Sequence, residues 1–225
     1  MGQERLSRAR ILETALRVID EEGLGALSMR RLGAELGVDP MSIYRHLPSK
    51  EAVVFGLIEQ VFAEMRLPAL EGSNWQERVR AWAAAYVGLA RSHPNLVLQI
   101  VSDTAAVSDA MLRISEPLYA ALWEAGLSPR KLALAAGTVV DFVHGHALAE
   151  NSMSPSEDAS FKRDLLARLE AKPTESFPTM RRVFRALAEG ATSVDPVSAF
   201  AGSLDVLLEG IKAIANDATD QQRTE

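Results

Sequence analysis

The stretch LGVDPMSIYRHLPSKEAV, residues 36–53, gathers Ser42, Tyr44, Arg45, His46 and Lys50 within a few residues of one another. None of the chemistry this set suggests is covalent. A guanidinium can grip a guanine edge or a phosphate with two parallel donors, and hydroxyl, imidazole and ammonium groups can each hold a phosphate oxygen. Catalytic alternatives are thinner. The absence of cysteine excludes thiolate nucleophiles and cysteine-based zinc sites. Neither a glycine-rich phosphate loop nor a Gly-x-Ser-x-Gly elbow is present. Ser128 and Lys131 match a Ser-x-x-Lys spacing, but Ser128-Pro129 after Gly126 is a helix start by every local rule. The chain is therefore not expected to be an enzyme, and no cofactor is expected.

A second set lies in the larger remainder. Asp141 and His144 stand three apart on one helix face, whereas His146 points elsewhere, so ligand hydrogen bonding or core packing is favoured over a metal site. Trp82 with Tyr86, and Tyr119 with Trp123, form two aromatic pairs at helical i, i+4 spacing. Such stripes usually fill a core; here Trp82, Tyr86, Ile100, Leu118 and Trp123 are also read as the wall of an apolar or aromatic pocket. His93, just before Pro94, reads as a helix-end cap.

The elements that must position these groups are all helical, since apolar residues recur near every 3.6 positions and no long alternating run predicts a sheet. A first helix is predicted over 7–22, ending at Gly23. A second, MRRLGAEL, is capped by Ser28 and ends at Gly37; a third is expected over 40–46, capped by Asp39 with Pro40 in its first turn. Ser49 opens a fourth. Two short helices joined by GVD have the spacing of a helix-turn-helix, whose second helix can enter a DNA major groove. Val38, Ile43 and Leu47 are its expected anchors. Pro40, Met41, Ser42 and Arg45 then face bases, while Tyr44, His46 and Lys50 hold the phosphate backbone.

The pattern breaks over 68–73. It resumes with Ser73 and Gln76 as a predicted capping box, followed by helices near 94–101, 106–125, 129–150, 161–170, 179–189 and 196–215. NSMSPSEDAS and AKPTESFP read as mobile loops. The last helix carries an apolar stripe of Phe200, Leu204, Leu207, Leu208 and Ile211, assigned to a dimer interface with helix 179–189 rather than to the monomer's own core.

The 225 residues are 48% hydrophobic and 24% charged, a balance that supplies a sizeable core. The net charge of −6 argues against nucleic acid only on average, because residues 1–50 hold eight Lys/Arg against seven Asp/Glu and the rest sixteen against twenty-three. A local basic face still attracts phosphate, since salt limits the reach of charge to roughly 8–10 Å. The apolar runs AWAAAYVGLA and LALAAGTVV fall short of a bilayer span, and MGQERLSRAR lacks a secretory apolar stretch. A cytoplasmic protein without a membrane partner is expected.

Residues 7–62 closely resemble the N-terminal signature of the TetR family of bacterial transcriptional repressors. The resemblance implies an Ω-shaped homodimer with DNA-reading heads, and contact roles for Ser28 and Arg30 at the start of the second helix. It divides the chain into a helix-turn-helix domain over 1–50, a linking helix over 50–66, and a helical ligand-binding and dimerisation domain over 67–225. LEGSNWQERVRAW and EAGLSPRKLALAAGTVVDFVHGHAL are similar to the tetracycline-repressor class of that family. There a histidine and a glutamate help hold a magnesium–drug chelate; the aligned positions are Ile100 and Ala149, one residue before Glu150, so tetracycline is not the expected inducer. The expected partners are an operator duplex, a small apolar or aromatic effector and a second copy of the chain. A helical carrier or enzyme without operator binding is the competing reading, and activation and repression both stay open.

Overall fold

A computed structural model of the chain describes residues 5–96, 109–152, 155–173, 175–189 and 196–222. Ten α-helices and one 3-10 turn are present among them, with no strand. Helix α1 (Arg8–Glu22) is capped by Ser7, whose hydroxyl accepts the Arg10 amide at 3.2 Å. Its buried face is Ile11, Leu12, Ala15, Val18 and Ile19. The turn Leu24–Ala26 leads to α2 (Met29–Leu36), α3 (Pro40–Tyr44) and α4 (Lys50–Glu64). Beyond these lie α5 (Trp75–Ser92), α6 (Asp109–Glu124), α7 (Pro129–Ser152), α8 (Pro155–Glu170), α9 (Pro178–Glu189) and α10 (Pro196–Gln222).

One apolar cluster joins the small N-terminal helices to the larger bundle. It runs from Ile11 and Leu32 through Leu57, Val61 and Phe62 of α4 to Trp82, Leu118, Val139 and Leu208. Helix α4 is the bridge, packing on both α1 and α6. Helix α5 lies against α6 and α7, α7 against α10, and α8 and α9 pair with each other.

Several boundaries differ from expectation for identifiable reasons. The capping box at α5 uses Asn74 and Glu77, one position beyond Ser73 and Gln76, with the Asn74 side-chain Oδ1 accepting the Glu77 backbone amide at 3.0 Å and the Glu77 carboxylate accepting the Asn74 backbone amide at 2.8 Å. Both pairs fit the pattern, and the carboxylate wins because a negative charge suits a helix N-terminus. Ser73 instead donates to the Leu70 carbonyl. Most of NSMSPSEDAS is helical, because α7 continues to Ser152 and Pro155 begins α8. Helix α10 runs on into the polar tail as far as Gln222. The predicted helix near 94–101 lies largely outside the described residues.

The apolar run LALAAGTVV lies inside the longer helix α7. The 22-residue stretch Pro129–Glu150 holds an 18-residue window of mean hydropathy 1.4, enough by length and composition alone to cross a bilayer. Asp141 interrupts the letters but not the helix. Leu132, Ala135, Ala136, Val139, Val143 and Ala147 of this helix are buried in the bundle. The stripe on α10 is likewise turned inward: Phe200, Leu204, Leu208 and Ile211 are buried within the subunit, which corrects their assignment to a dimer interface. Helix α9, its expected interface partner, packs on α8 instead.

Candidate nucleic-acid interface and ligand cleft

The helix-turn-helix is set by two glycines. Gly37 ends α2 at φ 68°, a left-handed geometry that lets the Gly37 amide reach the Ala34 carbonyl and the Val38 amide reach Gly33. A Cβ on Gly33 would lie 2.9 Å from the Val38 carbonyl and 3.1 Å from Cγ of Pro40, so the turn closes only over a glycine here. Asp39 then caps α3, its carboxylate accepting the Met41 amide at 2.7 Å.

Behind α3, Ile43 and Leu47 are buried and Val38 is half-buried. In front, Met41 is 66% and Tyr44 41% exposed, with Arg45 and His46 also exposed and Pro40 and Ser42 half-buried. The helix is shorter than the expected 40–46: it ends at Tyr44, and the His46 and Leu47 amides both fold back to the Ile43 carbonyl. Pro48 explains the stop, because it forces the residue before it out of helical geometry. Arg45 therefore leaves the end of the helix instead of lying within it.

Charge is sorted on this surface. Arg17 pairs with Glu21 at 3.3 Å and Glu35 at 2.6 Å, and Arg31 pairs with Glu22 at 2.7 Å and Glu35 at 3.0 Å. The hydrogen bond from Arg17 is the main reason the Glu35 carboxyl sits below the ordinary carboxylate value. Among the described residues, Arg30 and Arg45 make no ion pair. The two unneutralised guanidiniums thus sit at the start of α2 and the end of α3. Ser28, also exposed, uses its oxygen to accept the Arg31 amide at 3.1 Å and keeps its proton free to donate.

In the larger bundle Trp82 and Tyr86 are buried with ring centroids 5.4 Å apart, and Leu118 is fully buried nearby. The Trp82 indole donates to the Ile114 carbonyl at 2.6 Å, and the Tyr86 hydroxyl lies 2.7 Å from Nε2 of His144. Burial pushes the Tyr86 phenol up and the His144 imidazole down, the latter against a small opposing pull from Asp141. Burial thus favours the neutral form of both groups, and one hydrogen bond joins the phenol oxygen to Nε2. Asp141 is exposed.

These side chains fill one another's space, so the opening lies one layer outward. A cleft of about 270 Å³ between the end of α4 and α6 is lined by Phe62, Ala63, Met65, Arg66, Leu67, Ala110, Arg113, Ile114 and Pro117. Phe62 backs onto Tyr86 at 6.2 Å between ring centroids, and Ile114 carries the carbonyl that Trp82 holds.

The residues 67–215 match the model of the tetracyclin repressor-like C-terminal domain, and 11–57 match that of bacterial regulatory proteins of the tetR family. The chain belongs to the TetR family. An HTH-type transcriptional regulator of Saccharopolyspora erythraea is 29% identical over 181 residues, covering 80% of this chain and 76% of that protein. The transcriptional repressor DrrR1 of Streptomyces coeruleorubidus is 30% identical over 172 residues, 73% of this chain and 63% of its own length. Apo ActR from Streptomyces coelicolor superposes with a TM-score of 0.80 at 28% identity, covering 97% of this chain and 99% of ActR. ActR has also been solved in complex with actinorhodin, and that structure matches at TM-score 0.79.

In this TetR-family regulator the expected site residues are only partly gathered. Ser28, Arg30, Met41, Tyr44, Arg45 and His46 are exposed in the helix-turn-helix region, and Pro40 and Ser42 are half-buried there. Lys50 is partly diverted: its ammonium donates to the Leu24 carbonyl at 3.3 Å, tying α4 to the turn after α1. Trp82, Tyr86, Leu118 and His144 cluster behind the cleft as packed core. Trp123 does not join them, being 63% exposed in an outer groove of about 540 Å³ beside Tyr119, Glu116 and Pro129. The reason is angular, since Leu118, Ala121 and Leu122 take the inward side of α6 and the next residue is turned about 100° away. Ile100 lies outside the described residues.

Glu150 is occupied too. Arg91 holds its carboxylate with two hydrogen bonds of 2.9 and 2.8 Å, the main reason its acidity is raised. His146 approaches it at 3.2 Å and lies against the Phe200 ring, so Asp141, His144 and His146 do not converge.

A junction between the N-terminal helices and the bundle was not legible in the chain. His93, at the end of α5, places Nδ1 3.0 Å from Asp20 and Nε2 3.7 Å from Glu64. Asn95 donates to the Ile19 and Asp20 carbonyls at 2.9 and 3.3 Å, satisfying the last turn of α1. His93 does sit at a helix end as expected, but its ring reaches across to another helix. A sequence separation above 70 residues leaves no local pattern by which to find such a contact.

Proposed function

We propose that this TetR-family regulator is a repressor that binds a palindromic operator as a homodimer and is released by a small, largely apolar or aromatic effector. The observation that carries the DNA reading is the front of α3: exposed Met41, Tyr44 and Arg45 on a helix seated by Ile43 and Leu47, with Arg30 and Arg45 left without carboxylate partners among the described residues. Residues 1–50 act as the head, α4 as its link, and the remainder as the effector and dimerisation domain. Arg45 and Met41 read base edges; Tyr44, His46, Ser28 and Arg30 hold phosphates, with Lys50 contributing only the donors its tie to Leu24 leaves free.

Pairing is assigned to the outward faces of α7 and α10. Val206 is 77% and Leu134 64% exposed there, and the exposed Gly137, Gly145, Gly202 and Gly210 have open space where a Cβ would be, so two helix pairs can approach closely. Such a dimer sets its recognition helices about 34–36 Å apart, one turn of DNA. An effector releases the operator only by favouring another spacing. That ActR binds actinorhodin supports an aromatic effector class, and the apolar walls of the α4–α6 cleft are consistent with it. Work on DNA places the protein in the cytoplasm.

A gel shift with the DNA flanking its own gene tests the reading. The wild type retards one fragment as a dimer, and Tyr44→Ala/Arg45→Ala abolishes the shift while leaving the helical circular dichroism unchanged. Unaltered binding by that variant, or sedimentation of the wild type as a monomer, would sink it in favour of a helical carrier.

A further inference from the structure

Resting on the reading of an effector-released repressor, we propose that the effector is an amphipathic anion, an aromatic carboxylate, seated in the α4–α6 cleft with its charge met by Arg66 and Arg113. The cleft's walls are apolar through Phe62, Met65, Leu67, Ile114 and Pro117, while two of its lining residues are arginines. Three arginines on the neighbouring faces of the bundle are answered by acids, Arg78 by Glu124, Arg80 by Asp205 and Arg91 by Glu150, whereas the two on this cleft are not. Arg113 has no hydrogen-bond or ion-pair partner among the described residues, and Arg66 donates to the backbone carbonyls of Ala63 and Met65. Residues 51–225 hold twenty-three acids against sixteen bases, so two guanidiniums without a carboxylate on one small cleft run against the charge of the domain.

The sign of the ligand follows from desolvation. Arg66 and Arg113 are exposed at the open cleft, and a neutral apolar molecule lying over them removes part of their water and gives them nothing in return. A carboxylate restores the lost hydrogen bonds and can be held by two parallel donors of one guanidinium. The volume of about 270 Å³ is near the lower end of ligand pockets, which suits a compact ring system. Position supplies the coupling, because Phe62, Ala63 and Met65 lie at the end of the linking helix that also packs on α1 around Gly56. An occupant there presses on the element that orients the head.

Three probes of the same shape separate charge from fit: 1-naphthoate, 1-naphthamide and 1-naphthylmethylamine, titrated calorimetrically into the full-length dimer. The carboxylate binds about ten-fold or more tighter than the amide, and the amine does not bind. Arg113→Gln and Arg66→Gln each reduce that preference with an unchanged melting curve, and Arg113→Lys restores part of it. Equal affinities for the three probes, no binding of any, or a preference indifferent to both arginines would overturn the proposal. A gel shift over the same naphthoate range keeps the two readings apart. Arginine-dependent binding without DNA release supports the anion cleft and counts against effector control; release by a ligand indifferent to both arginines does the reverse.

Discussion

At the scale of single residues, the Tyr86–His144 contact joins two polar side chains inside the bundle. At 2.7 Å, between a buried phenol and an imidazole kept neutral by burial, each partner depends on the other for its hydrogen bond. Tyr86→Phe leaves Nε2 without its hydrogen-bond partner, and urea denaturation is expected to show a loss of about 1–3 kcal/mol. The pair also predicts how stability follows pH. His144 has its folded pKa below the unfolded value of about 6.5, so the unfolded chain takes up its proton first. Its contribution is present above pH ~6.5 and is lost as pH falls below that, and His144→Gln should flatten this acid limb. Tyr86 acts at the other end: burial raises its pKa, so its contribution holds up to pH ~10 and fades as the unfolded phenol ionises above it.

At the scale of elements, the helix-turn-helix depends on backbone proximity more than on side-chain attraction. Gly33 lets α2 pass against the Val38 carbonyl and the Pro40 ring, and both are parts of the turn with little room to move. Gly33→Ala is expected to splay α3 from α2, costing about 1–3 kcal/mol by overpacking. Thermal unfolding should show the loss, and operator affinity should fall with it, although no DNA-facing group has been altered. The same helices show what a linear reading gets right and wrong. Ser28, Asp39 and Ser49 cap where their types say they must, because capping is decided within three residues. The end of α3 and the α5 cap were each misplaced, since two adjacent registers satisfied the same local rule and a proline or a charge decided between them.

At the scale of the whole molecule, the junction of His93, Asn95, Asp20 and Glu64 ties the bundle to the head at a point distinct from α4. Its two asparagine hydrogen bonds run to the Ile19 and Asp20 carbonyls at the end of α1, the first of which also accepts the Gly23 amide. Asn95→Ala combined with His93→Gln should lower the opening free energy of that turn by about 1 kcal/mol. Hydrogen exchange at the Gly23 amide, which bonds to the Ile19 carbonyl, reports it directly. Unchanged exchange there, with α1 otherwise intact, would show that α4 alone carries the connection.

The sequence by itself determined the all-helical class, the helix-turn-helix and the family, because periodicity, caps and turn glycines act over a few residues and leave a readable mark. Tertiary structure decided which aromatic face of α6 went inward, that the α10 stripe completes the subunit's own core, that Lys50 and Glu150 already have partners, and that the cleft opens outside Trp82 and Tyr86. Those outcomes depend on which distant helices meet, and packing between segments dozens of residues apart leaves no trace in the local pattern of either.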